Sequence, residues 1–287
     1  MTTTLHLPAP PGYSFHAVVN SHGWRDLAPF RYDADAATLH RVHRLASGRV
    51  IHLTLTDGVR VTADVDLTDA EQHELTTAVR RMLAMNTDLT PFYDAIRDEA
   101  RYDWVEAGSH GRLLASPTLW EDLVKILFTT NVSWRNTISM CQRITAYGDA
   151  APDGRRTFPT PAQIAAQSPE ELTAQVRAGY RVKGLHALAT AISSGELNVE
   201  GWRDPAWDAG ELYQHVSRLH GYGAYAAGSA MRMLGHHEWL AIDSVARAAY
   251  AAVHNGGDPA TDKDIEAFYA PYGHWRGLAL WMDILSS

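Results

Sequence analysis

The stretch Leu219-His220-Gly221-Tyr222-Gly223-Ala224-Tyr225-Ala226-Ala227-Gly228 sets two glycines, one residue apart, between a helix-like segment and an alanine-rich amphipathic run. Glycine permits the tight backbone that such a turn needs. The N–H groups opening the second helix have no intrahelical acceptor, which leaves them free to meet an anion such as a phosphate. A GxG alone fits a plain turn between packed helices equally well. A second segment narrows the choice: Trp239-Leu240-Ala241-Ile242-Asp243-Ser244-Val245-Ala246-Arg247 is an apolar approach ending in one carboxylate where a new helix begins. Aspartate in that setting is first of all an N-cap, and capping does not exclude chemistry.

Outward from this segment, helical periodicity dominates everything after Asp66. Leu67-Thr68-Asp69-Ala70-Glu71 reads as a helix start, followed by apolar residues at Leu75, Val79, Met82 and Leu83. Further helices are predicted near 90–99, 117–129, 133–147, 161–167, 169–177, 180–194, 209–217, 223–234, 242–253, 261–269 and 274–285. Ser116 before Pro117, and Ser168 before Pro169 with Glu170-Glu171, are candidate caps. Before Asp66 the chain has short strand-like runs. Arg49 to Thr56 alternates, Asp57-Gly58 marks a turn, and Val59 to Val65 alternates again, which predicts an antiparallel hairpin. Phe15 to Val19 and Leu39 to Leu45 are further elements beside it. The fold class is therefore α+β and mostly α: a small antiparallel β domain over residues 1–67, then a helical body over 68–287.

A chain of 287 residues, 46% of them apolar, can bury a substantial core. The apolar run around Leu123 to Phe128 is broken by charge well before bilayer-spanning length, so no membrane span is expected. The opening MTTTLHLPAPPGYS lacks the pattern of a secretion signal, which makes a cytoplasmic location the expectation. Cys141 is the only cysteine, which excludes an internal disulfide, a multi-cysteine zinc site and an iron–sulfur cluster held by four cysteines of one chain. There is no HExxH pair, and the adjacent His236-His237 read as turn or surface residues rather than metal ligands. A formal charge of −8 counts against nucleic-acid binding as a whole-chain test, although Arg135, Arg177, Arg181, Lys183 and Arg218 are available to form a local basic patch.

The two central segments, LHGYGAYAA and then AIDSVAR, resemble the signature of the helix-hairpin-helix DNA glycosylases. Further blocks agree in order: Gly111-Arg112-Leu113-Leu114 with the TTNVSW junction (Thr129 to Trp134), Phe158 to Leu172, Gly179 to Ile192, and Pro271 to Trp281. The β-rich start is similar to the extra domain of the 8-oxoguanine and 3-methyladenine II branches, and the resemblance implies a two-lobed helical core.

The resemblance implies a monomer that binds double-stranded DNA containing a damaged base and turns that base out of the stack, in the nucleoid if the source is bacterial. Leu219, Gly221, Tyr222, Gly223 and Ala224 would grip the DNA backbone. A structural Na+ or K+ would sit at the carbonyls of Ser217, Leu219 and Tyr222, with no other cofactor. Asn131 would enter the gap left by the turned-out base, Lys183 would touch phosphate, and Asp243 would be the catalytic carboxylate. His220 stands where many relatives have proline, a departure that leaves both glycines in place. At Tyr225, relatives that also cut the strand carry a Schiff-base lysine, so the resemblance implies a monofunctional enzyme. The expected pocket is aromatic, from Tyr225, Trp134, Trp275 and Trp281. It would suit alkylated purines, with oxidised purines as the alternative, since the RLL and GYR blocks look closer to the 8-oxoguanine branch. A catalytically silent DNA-damage-binding protein and a helical protein-interaction domain are the competing classes.

Overall fold

The structure is a computed structural model that describes residues 2–287. The alternation in Arg49–Val65 produces strands β4 and β5, and three further strands complete an antiparallel sheet in the order β1-β5-β4-β3-β2. The strands are β1 (Thr3–His6), β2 (Phe30–Asp33), β3 (Thr38–Arg44), β4 (Val50–Thr56) and β5 (Arg60–Ala63). One face of the sheet is apolar: Leu39, Ile51, Leu53, Leu55 and Val61 are all buried. The β4–β5 turn passes through Asp57–Val59, with Gly58 at φ 68°.

Two expectations need correction. Phe15–Val19 is not a strand but a short helix, α1, because Ser14 caps it by accepting the Ala17 N–H at 3.1 Å. Leu39–Leu45 falls in β3, as an element beside the hairpin. Ser116 is not the cap of the next helix. That helix starts three residues later under Thr118, and Ser116 is buried with its N–H donated to Asp122 at 2.8 Å.

The helices are α2 (Asp69–Met82), α3 (Thr90–Ile96), α4 (Asp103–Ala107), α5 (Leu119–Thr129), α6 (Trp134–Ile144), α7 (Pro161–Ala165), α8 (Pro169–Val176), α9 (Arg181–Ser193), α10 (Ala209–Ser217), α11 (Ala224–Met233), α12 (Ser244–His254), α13 (Asp262–Tyr269) and α14 (Arg276–Ser286). Reciprocal capping boxes start α2 (Thr68 with Glu71), α7 (Thr160 with Gln163), α8 (Ser168 with Glu171) and α13 (Thr261 with Asp264). Among the described residues no helix is long and apolar enough to cross a membrane.

The chain forms two compact units. The first comprises the chain up to Asn86 together with Leu113–Gly201; the second comprises Thr87–Arg112 with Trp202–Ser287. The change from strand to helix between Ala63 and Asp69 therefore lies inside the first unit. That unit contains a buried ionic cluster: Arg41 of β3 donates two hydrogen bonds to Glu121 of α5 at 2.8 and 2.7 Å, and Lys125 donates to the same carboxylate at 2.7 Å. Its 113–116 segment is held by the chain start, since Ser21 accepts the Leu114 N–H at 2.9 Å. The second unit is organised around an apolar cluster of Phe92, Tyr102, Ile265, Tyr269, Leu278 and Leu280. Within it, Asp283 is reached by Tyr102, Tyr269 and His254 at 3.0, 2.5 and 2.7 Å.

Candidate functional site

In the second unit, α10 ends at Ser217 and the chain turns through 218–223 into α11. Gly221 has φ 93°, a left-handed conformation that disfavours any side chain, and the Tyr222 N–H closes the turn on the Leu219 carbonyl at 3.1 Å. Gly223 is the N-cap of α11 and supplies no side-chain hydrogen bond, so no side chain competes for the first-turn N–H groups. Gly221, Gly223 and Ala224 are exposed and Leu219 is half-buried, whereas the Tyr222 ring is buried and anchors the turn from beneath. Tyr222 therefore offers its main chain, not its ring, to any ligand at this surface.

The segment between α11 and α12 is packed tightly. Trp239 stacks on Tyr213 of α10 with ring centroids 4.7 Å apart and planes 4° from parallel. Gly277 at the start of α14 comes so close that a Cβ there would lie 2.4 Å from the Trp239 carbonyl oxygen and 2.7 Å from that of His237, and its N–H donates to His237 at 2.7 Å. Ala241 has φ 53°, an uncommon conformation for a residue with a Cβ. The path ends at Asp243, which is half-buried and extended (φ −130°, ψ −168°). Its Oδ1 accepts the Ala246 N–H at 2.8 Å, so Asp243 is the N-cap of α12.

Tyr225, one residue into α11, is half-buried. Two turns further along the same face comes Arg232, which no motif in the sequence singles out. Its side chain is buried, at 8% exposure, with Nη2 donating to the Leu240 carbonyl at 3.0 Å and the guanidinium 4.7 Å over the Trp281 ring; Nε has no hydrogen-bond partner. Burial lowers its pKa to about 10, opposed by the charges of Tyr225 and Asp243, so it remains a cation at neutral pH. Trp275 is stacked on His237 at 5.3 Å and packs against Phe92 at 5.6 Å. His237 is not a surface residue: burial, then Arg232, brings its pKa down to about 3. Among the described residues no three His, Cys, Asp or Glu side chains gather where they would hold a metal ion.

Other candidates belong to the first unit. Asn131 lies exposed at the α5–α6 junction with φ 46°. Arg181 clamps that junction: Nε donates to Thr130 Oγ1 at 3.2 Å and Nη2 to the carbonyls of Thr130 and Asn131, the latter at 3.2 Å. Arg181 is thus buried in a structural role and does not join a basic patch, while Arg135, Arg177 and Lys183 are exposed. Trp134 is 40% exposed, and its ring lies against Gly23, where a Cβ would come within 2.1 Å of it. A cavity of ≈ 350 Å³ in this unit, lined by Arg41, His43, Trp120, Glu121, Phe158 and Glu200 among others, contains none of the candidate residues.

No family model matches the chain, and no curated protein matches it in sequence. Solved structures do match over nearly its whole length. A 3-methyladenine DNA glycosylase from Archaeoglobus fulgidus superposes with a TM-score of 0.77 at 16% identity, covering 99% of this chain and 97% of the other. MBOgg1, solved with a low-affinity DNA ligand, gives 0.74 at 17% identity over 99% and 94%. The apo 8-oxoguanine glycosylase/lyase of Clostridium acetobutylicum gives 0.71 at 14% identity over 95% and 93%. With its hairpin, its five-stranded sheet and these superpositions, the chain has the fold of the helix-hairpin-helix DNA glycosylases.

Proposed function

We propose that the protein is a monofunctional DNA glycosylase that hydrolyses the bond between a damaged base and its sugar, with Asp243 as the catalytic carboxylate. One observation carries the reading: Asp243 caps α12 at the end of a segment held on both sides, downstream of a hairpin whose exposed backbone is built to meet a phosphate. Glycosidic cleavage builds positive charge on the sugar, and a fixed carboxylate stabilises it. Oδ1 is held by the cap, so in this reading Oδ2 is the oxygen that serves the reacting centre. Water adds to C1′, the C1′–N bond breaks with both electrons passing to the base, and the proton lost by water passes by way of the carboxylate to solvent. With tyrosine at 225 no amine stands ready to form a Schiff base, so the product is an intact strand carrying an abasic site.

The turn carbonyls of Ser217, Leu219 and Tyr222 fit a monovalent cation by chemistry, being neutral oxygens that suit a hard ion. Leu219 retains a lone pair beyond the one used by Tyr222. Such an ion would add positive potential beside a bound phosphate.

Of the aromatic cage expected for an alkylated purine, Trp275 is engaged by His237 and Phe92, and Trp281 faces a guanidinium. These placements favour the oxidised-purine alternative. The test is base release from defined duplexes, with chromatographic identification of what comes off, by the native protein beside Asp243→Asn. Release by the native protein alone supports the reading, and equal release by both removes Asp243 from the chemistry.

A further inference from the structure

A buried cation without an ion-pair partner is expensive, because it gives up hydration for little return. Arg232 is such a group. It makes one hydrogen bond to the Leu240 carbonyl, lies over Trp281, and leaves Nε without a partner. An apolar residue at this buried helical position would avoid the desolvation cost. Its place relative to the proposed chemistry gives the cost a reason. Arg232 lies seven residues after Tyr225 on the same helix face, its hydrogen bond is to a residue three before Asp243, and its charge interacts with Tyr225, Asp243 and the buried, neutral His237.

We propose that Arg232 is a specificity-determining residue whose fixed positive charge makes the site release neutral damaged bases in preference to cationic, N-alkylated ones. This deepens the glycosylase reading and rests on it. Two effects act in the same direction. The guanidinium offsets the Asp243 carboxylate, so a cationic base loses the attraction that the carboxylate alone would give it and meets like-charge repulsion from Arg232. The leaving groups also differ. A neutral base departs with the electron pair of the C1′–N bond as an anion, which a nearby cation stabilises before solvent returns a proton to it. An N-alkylated cationic base departs neutral and gains nothing. Trp281, whose face would otherwise suit a cationic ring, is already covered by the guanidinium.

The test is single-turnover release of 7-methylguanine, 8-oxoguanine and hypoxanthine from otherwise identical duplexes by the native protein, Arg232→Met and Arg232→Lys, with binding to an abasic-mimic duplex measured alongside. The native protein is expected to favour the neutral bases. Arg232→Met should lower neutral-base release by tenfold or more and narrow the neutral-to-cationic ratio, and Arg232→Lys should restore the ratio. Should the methionine variant not fold, Arg232→Gln keeps a donor for Leu240 without the charge and carries the same comparison. A proportional loss on all three bases, or a native preference for 7-methylguanine, overturns the assignment of Arg232 while leaving the glycosylase reading intact. No release of any base by the native protein overturns both.

Discussion

Replacing Glu121 by glutamine removes the carboxylate that Arg41 and Lys125 share inside the first unit. All three side chains are buried, Lys125 completely. Burial alone would push the Glu121 carboxyl up, but the two cations more than reverse it and bring its pKa to about 2. Against 4.5 for an ordinary glutamate, a depression of about 2.5 units corresponds to about 3 kcal/mol of stability. Because the folded value is the lower one, this contribution is complete above pH ~4.5 and is lost as the pH falls towards 2. Glutamine leaves both cations facing a neutral acceptor, a change that costs roughly 3–5 kcal/mol for a broken buried pair. At roughly 2–4 °C per kcal/mol, the melting temperature at pH 7 should drop by about 10 °C. The assay is a melt monitored by circular dichroism at pH 7, 5, 4 and 3. The gap between native and Glu121→Gln should narrow steadily below pH ~4.5 as the native carboxyl takes up its proton. A variant within about 2 °C of native at pH 7, or a gap independent of pH, would falsify the account of this cluster.

Asp243→Asn should lower base release by at least about a hundredfold, as expected for loss of a fixed transition-state charge, while an abasic-mimic duplex is still bound within a few-fold; retained release shows that the carboxylate is only a cap. Borohydride present during turnover should trap no protein–DNA adduct, since residue 225 is tyrosine; a strong adduct band would reveal a reactive amine elsewhere. Gly277→Ala should cost about 1–3 kcal/mol and reduce release more than it weakens DNA binding, because the new methyl displaces the carbonyls of residues 237 and 239 on the path to Asp243; native-like melting and turnover would show that this contact yields freely. Ala241→Val should destabilise by roughly 1–2 kcal/mol and Ala241→Gly should not, since a β-branched residue resists φ 53°; equal melting temperatures for the two variants would contradict that backbone assignment.

Most of the helices after Asp66 are legible in the sequence because they carry a local signal, an apolar stripe and in several cases a side-chain cap; the five-residue α4 (Asp103–Ala107) has no such cap and is not anticipated. Ser168 with Glu171 is the clearest case, and the structure reproduces it as a reciprocal capping box. The 49–65 hairpin is legible for the same reason. Phe15–Val19 misleads because five mostly apolar residues carry no distinguishing period, and one Ser14 hydrogen bond decides the matter. β1 and β2 escape notice because four-residue strands are specified by the partners they pair with. At the site, Gly221, Gly223 and Asp243 stand out by type and spacing. Arg232 does not, since an arginine on an alanine-rich helix ordinarily points to solvent, and only the packing of Leu240 and Trp281 around it shows that it is buried. The Arg181 clamp is hidden likewise: apart from the Thr130 hydroxyl its partners are backbone carbonyls, which leave no mark in a sequence.

Three features that work against stability converge on the segment leading to Asp243: Ala241 in a left-handed conformation, Gly277 pressed against two carbonyls, and Arg232 buried with no carboxylate in direct contact. A helix N-cap needs none of these, since Thr68, Thr160, Ser168 and Thr261 cap their helices with ordinary backbone on either side. Costly local choices persist when the surrounding structure over-determines them, and they cluster where a group must be held for chemistry. Their clustering before Asp243 therefore distinguishes this cap from those four; Ser133, the cap of α6, also follows a left-handed residue, Asn131, but has no side-chain cap hydrogen bond.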